Sequence, residues 1–134
     1  QMEASQKASQ RAQAIENVRD ASVIITNPTH FAVALKYAPD MRDTPYIIAM
    51  GKGAMALRII DEADKASISR VRSPLLARAL FFTGDIGADV AEDLFSAVAS
   101  VLAYVLQLER GANPSFEDPE VPSDLLYDEF GAKL

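Results

Sequence analysis

From Ser22 onward, short apolar runs alternate with turn-forming residues. "SVII" (22–25) and "FAVALKYA" (31–38) read as two strands. The second is apolar on both faces, as a strand covered on both sides requires. "APDMRDTP" (38–45) is a loop and "YIIAM" (46–50) a third strand. After "GKG" (51–53), apolar residues at 55, 56, 59, 60 and 63 recur at helical spacing, which predicts an amphipathic helix to about Lys65. "SISRV" (67–71) is a short fourth strand. Ser73 and Pro74 open a helix, the serine as N-cap and the proline in the first helical position, and "TGDIG" closes it. A long helix is expected from about Ala88 to Glu109, with Val90, Leu94, Val98, Val101, Leu102 and Val105 on its core stripe.

The flanks read differently. Residues 3–20 are helix formers with few apolar positions, so a solvated connector without a broad docking stripe is expected. After Gly111 the prolines and acids of "GANPSFEDPEVPSDLLYDEFGAKL" predict a disordered acidic tail, in which "DLLYDEF" is the one stretch with docking potential. The fold class is therefore α/β: a small mixed four-stranded sheet covered by helices. Residues 1–20 form a helical linker, 21–110 the folded domain and 111–134 the tail. The unit formed by the third strand, its helix and the fourth strand should be parallel and right-handed.

Composition removes several function classes. With a formal net charge of −6, the chain offers no broad basic field for nucleic acid or an anionic membrane. It has no cysteine and one histidine, so thiolate metal sites and disulfide scaffolds are excluded and neither a metal nor a cofactor is expected. The first residues, "QMEASQKASQRAQ", lack the apolar core of a secretory signal. The longest apolar stretch, 97–108, is shorter than the ~20 residues of a membrane-spanning helix. The scattered acids of 61–93 read as solvated helix faces and caps.

The candidate chemistry lies between the first two strands, in Asn27, Pro28, Thr29 and His30. An asparagine usually reacts through the backbone nitrogen of the next residue, which attacks the side-chain amide. Proline has no N–H, so that route is closed at Asn27. The reverse attack remains open: the Asn27 side-chain nitrogen adds to its own backbone carbonyl carbon, a succinimide closes, and Pro28 nitrogen leaves. Covalent tethering of a well-oriented nucleophile is worth on the order of 7–11 kcal/mol. Proline pre-sets the second position of a β-turn, Thr29 would fix the turn by hydrogen bonding, and an imidazole at His30 would move a proton. The plain alternative is also open, because Asn-Pro is an ordinary turn dipeptide.

"NPTH" followed by "FAVALKY" resembles the cytoplasmic domain of the FlhB/YscU family, the switch proteins of type III export. "AMGKGAMALRI", "PLLARALF" and "DLFSAVASVLAYVLQL" extend the likeness in order over roughly residues 20–110, and "AVALKY" with "VLAYV" is similar to the flagellar branch. Phe31 stands where the family often has tyrosine, and the linker is less basic than in many relatives. The resemblance implies single-turnover cleavage between Asn27 and Pro28 rather than a turnover enzyme, with both pieces staying in one sheet. It implies a domain at the cytoplasmic face of the bacterial inner membrane, joined to a transmembrane segment absent from this chain. Its role would be to switch export from rod/hook-type to filament-type proteins. The implied partners are rod/hook-type export substrates, a hook-length control protein and other export-gate components. It also implies a hydrophobic pocket for early substrates around Pro45, Ala99 and Leu102, residues for which plain core packing is the other reading.

Two further functions compete. One is a nucleotide-binding α/β domain using the Gly51-Lys52-Gly53 turn at a helix N-terminus, although the Walker spacing, a following Ser/Thr and paired acids are missing. The other is a purely structural docking domain in which cleavage is incidental.

Overall fold

The computed structural model describes residues 2–28 and 30–134. The helix α1 (Met2–Asn17) runs through a 3₁₀ turn (Val18–Asp20) into strand β1 (Val23–Asn27). Then come β2 (Phe31–Lys36), β3 (Tyr46–Lys52), α2 (Ala54–Lys65), β4 (Arg70–Arg72), α3 (Pro74–Thr83) and α4 (Phe95–Glu109). The four strands form one mixed sheet in the order β3-β2-β1-β4, with β1 antiparallel to β2, β2 antiparallel to β3, and β1 parallel to β4.

β3 and β4 run in the same direction, as expected of strands joined by a helix, but they are the two edges and not neighbours. The β1–β2 hairpin fills the space between them. A helix of twelve residues is ~18 Å long and strands lie ~4.8 Å apart, so α2 can span the sheet's whole width.

Period-two alternation sorts the sheet's side chains into two cores. Val23, Ile25, Phe31, Val33, Leu35 and Ile47 face α3 and α4. Ile24, Ala32, Ala34 and Ala49 face α1 and α2, where the small side chains let the helices approach the sheet. This second core corrects the reading of 1–20 as a solvated linker. Ala14, Ile15 and Val18 are buried beside Ala56 and Ile59, so the end of α1 is docked. Three apolar positions within about one helical turn suffice when they land on a groove already made by α2.

The long helix begins at Phe95, after a 3₁₀ turn (Glu92–Leu94), and not at Ala88. Residues 87–90 are hydrogen-bonded along the edge of β3. Gly87 N–H donates to Ile47 C=O, Ile47 N–H to Ala88 C=O, and Val90 N–H to Pro45 C=O. Those edge bonds compete with helix formation and win. Arg42 pins the segment by donating to Asp89 at 2.6 Å and to the Gly87 carbonyl, while its guanidinium lies 4.1 Å from the Tyr46 ring centroid. A hydrogen bond from Thr44, then those from Arg42, hold the Asp89 carboxyl below the usual aspartate range.

The chain enters this segment at Gly84, where a Cβ would lie 2.2 Å from Ile47 Cδ1 and 2.7 Å from the Leu80 carbonyl oxygen. Gly84→Ala should therefore cost ~1–3 kcal/mol by overpacking, read as a lower urea midpoint with unchanged slope.

The tail is also corrected. Phe116, Val121 and Leu125 pack on the α3/α4 core, residues Ser123–Leu125 form a 3₁₀ turn, and Tyr127 pairs with Lys133. Few in number, these anchors are spaced so that each meets a ring or groove already present on α3 and α4.

Candidate functional site

The first two strands meet in register at their ends, Asn27 opposite Phe31, which leaves residues 28–30 to turn the chain. His30 N–H donates to the Asn27 carbonyl oxygen at 2.9 Å, closing a four-residue β-turn with Pro28 in its second position. The His30 carbonyl accepts from Gly53 N–H, also at 2.9 Å, so the turn is tied to the β3–α2 junction. Gly53 has φ of 60°, a conformation that glycine adopts without a Cβ penalty. The "GKG" stretch thus serves as a backbone corner, and the Gly53 N–H that a phosphate would need is already occupied.

The two flanks of the turn are held differently. On the β1 side, the buried Thr26 has its carbonyl bonded by Ser73 N–H at 2.9 Å. On the β2 side, Phe31 is buried against Phe81 and Phe82, edge-on at centroid distances of 5.1 and 5.6 Å. Between these anchors Asn27 is half-buried, while Pro28 and His30 are exposed. The side chains of Asn27 and His30 hydrogen-bond to no described residue. Thr29 lies outside the described residues.

Such a turn suits attack by the Asn27 amide on its own carbonyl carbon. Among the described residues the nucleophile is not spent on another partner, and negative charge developing on the Asn27 oxygen would meet the His30 N–H. Donors preorganised at a developing oxyanion are typically worth several kcal/mol. Sequence reasoning gave His30 a role through its imidazole and missed this one through its backbone. The available signal was the four-residue spacing with proline second, which brings the fourth N–H onto the first carbonyl.

Pro45, Ala99 and Leu102, separate in sequence, line one groove of about 590 Å³ with Tyr37, Phe95 and Leu106. Ala99 is exposed and Pro45 half-buried in the groove wall, while the half-buried Leu102 both lines the groove and packs on the core. Asp43 and Glu109 also line the groove, and Ser22 and Tyr37 close it at the end of the β1–β2 hairpin away from the turn. Five residues of β1 separate groove from turn, a distance of ~17 Å. Among the described residues no three of His, Asp and Glu gather as a metal site, and no helix is long and apolar enough to cross a membrane.

Comparisons with known proteins place the chain among relatives. The model of the FlhB HrpN YscU SpaS family matches residues 1–105. A flagellar biosynthetic protein FlhB of Aquifex aeolicus is 42% identical over 96 residues, 72% of this chain and 27% of that protein. One from Yersinia enterocolitica is 41% identical over 120 residues, 90% of this chain and 31% of that protein. The chain therefore spans less than a third of the length of these curated relatives. The crystal structure of the cytoplasmic domain of FlhB from Shewanella putrefaciens superposes with a TM-score of 0.80 at 35% identity, covering 87% of this chain and 95% of that one. In sequence and in fold, the chain belongs to the FlhB HrpN YscU SpaS family of the type III export apparatus, with the structure of an FlhB cytoplasmic domain.

Proposed function

We propose that this domain cuts itself once, between Asn27 and Pro28, and that the cut switches a flagellar export apparatus from rod/hook-type to filament-type substrates. The observation that carries the reading is the turn: an asparagine amide with no described partner, beside a carbonyl that already accepts a hydrogen bond from His30 N–H at 2.9 Å.

The reaction balances as follows. Asn27 Nδ2 bonds to the Asn27 carbonyl carbon and loses one proton, while the carbon–nitrogen bond to Pro28 breaks. Pro28 nitrogen gains a proton and becomes a new secondary-amine N-terminus. Water then opens the succinimide at either carbonyl, leaving one carboxyl group at the end of the first piece. The imidazole of His30, exposed in the same turn, carries the proton between the two nitrogens in this reading.

After the cut, β1 keeps its hydrogen bonds to β2 and β4, and Val23, Ile24 and Ile25 remain fully buried. The two pieces stay one folded body. The domain sits at the cytoplasmic face of the inner membrane, joined to a membrane-embedded segment ahead of α1. The groove of Pro45, Ala99 and Leu102 receives an apolar segment of an early substrate. The acids Asp43 and Glu109 in its wall favour basic flanks.

Intact mass after denaturation tests the cleavage. Wild-type protein should give two masses, one ending at residue 27 and one starting at Pro28. A single full-length mass after prolonged incubation at neutral pH removes the mechanism.

A further inference from the structure

The tail after Gly111 touches α3 at its head, middle and foot, and α3 is the element that grips both strands flanking the Asn27–Pro28 bond. At the head, Ser73 N–H holds the Thr26 carbonyl, one residue before Asn27. The Ser73 hydroxyl is buried and does not cap its own helix; it donates to the carboxylate of Asp118 in the tail. In the middle, Arg78 Nε donates to the Tyr127 carbonyl at 2.7 Å. At the foot, Phe81 and Phe82 meet Phe31, the residue after His30. Phe82 also stacks against Tyr127 at 5.5 Å, and Gly131 lies so close that a Cβ there would come 2.8 Å from the Phe82 ring.

We propose that residues 113–134 are a positioning brace for the cleavage: Asp118 fixes the Thr26 side through Ser73, and Tyr127 fixes the Phe31 side through Phe82. The proposal rests on the cleavage reading above. Attack by Nδ2 needs the Asn27 carbonyl carbon presented at one backbone angle, with His30 N–H still on its oxygen. The end of β1 sets the first condition and the start of β2 sets the second. Intramolecular reactions are steep in geometry, and a displacement of about 1 Å can cost ~100-fold in rate. An unbraced α3 leaves both strand ends free to drift by such amounts without unfolding the sheet.

The test uses the full chain. Protein made in a cell-free reaction with a short labelling pulse is followed as the fraction cut over time. Asp118→Ala with Tyr127→Ala should slow cleavage ~10-fold or more, each single change less, and Asp118→Asn, which keeps an acceptor for the Ser73 hydroxyl, should recover most of the rate. Glu120→Ala, a tail acid that makes no hydrogen bond or ion pair to a described residue, should change nothing. In parallel, amide hydrogen exchange is measured on the uncut Asn27→Ala chain with and without the tail substitutions. The Ser73 and His30 amides should lose protection while those of the α1–α2 face keep theirs. An unchanged cleavage rate in the double variant overturns the proposal, whatever the exchange shows. If the wild type never cuts, the cleavage reading falls and the brace's role in cleavage falls with it; the exchange then decides only whether the tail holds the two strand ends, which lost protection upholds and unchanged protection overturns.

Discussion

Replacing Asn27 by alanine leaves the chain whole. The expected result is one full-length species under denaturing conditions, where the wild type gives two, with the urea midpoint little changed because residue 27 is half-buried at a strand end. The size of the effect follows from what is removed. The tethered nitrogen supplies on the order of 7–11 kcal/mol of proximity, and an unassisted peptide bond does not break on any laboratory timescale without it.

Pro28→Ala tests a second part of the mechanism. It keeps the nucleophile but restores an N–H at residue 28 and frees the turn's second φ angle. Cleavage should slow, and some chains should instead show the mass change of deamidation, because the ordinary attack on the Asn27 side chain is open again. Normal cleavage in Asn27→Ala would require a different nucleophile.

Ala99→Asp should abolish early export without touching cleavage. Ala99 is an exposed wall residue on α4, so the substitution leaves the core intact and puts a carboxylate among Leu102, Phe95 and Pro45. An apolar segment seated there would have to bury that charge unpaired. Even after partial solvation this costs more than the ~1.4 kcal/mol that separates a tenfold difference in binding. Export of rod/hook-type proteins in cells should fall by ~10-fold or more, and Pro45→Asp should behave alike. Asn27→Ala should give the complementary result, with early export kept and filament-type export lost. If the groove variants alone impair export and Asn27→Ala exports both classes normally, cleavage is a by-product and the domain is a docking surface.

Much of this molecule was legible in one dimension because its determinants are local. Short apolar runs bounded by turn residues marked β1, β2 and β3, helical spacing marked α2, and the Ser73–Pro74 start placed α3. The candidate turn stood out for the same reason: proline's missing N–H is a property of two adjacent residues and needs no fold to express it.

What sequence could not decide were contacts between segments far apart in the chain. The start of α4 moved from Ala88 to Phe95 because β3 offered an unpaired edge to residues 87–90. The end of α1 docked because α2 had built a groove for Ile15 and Val18, and the tail docked because Phe82, Tyr104 and Ser73 were waiting for Tyr127, Phe116 and Asp118. Within the candidate site, the sequence named the asparagine proposed to react, whereas only the tertiary structure supplied the surfaces packed around its turn. A backbone donor, a buried serine and a ring of phenylalanines act through position, and position is set by the whole packed chain.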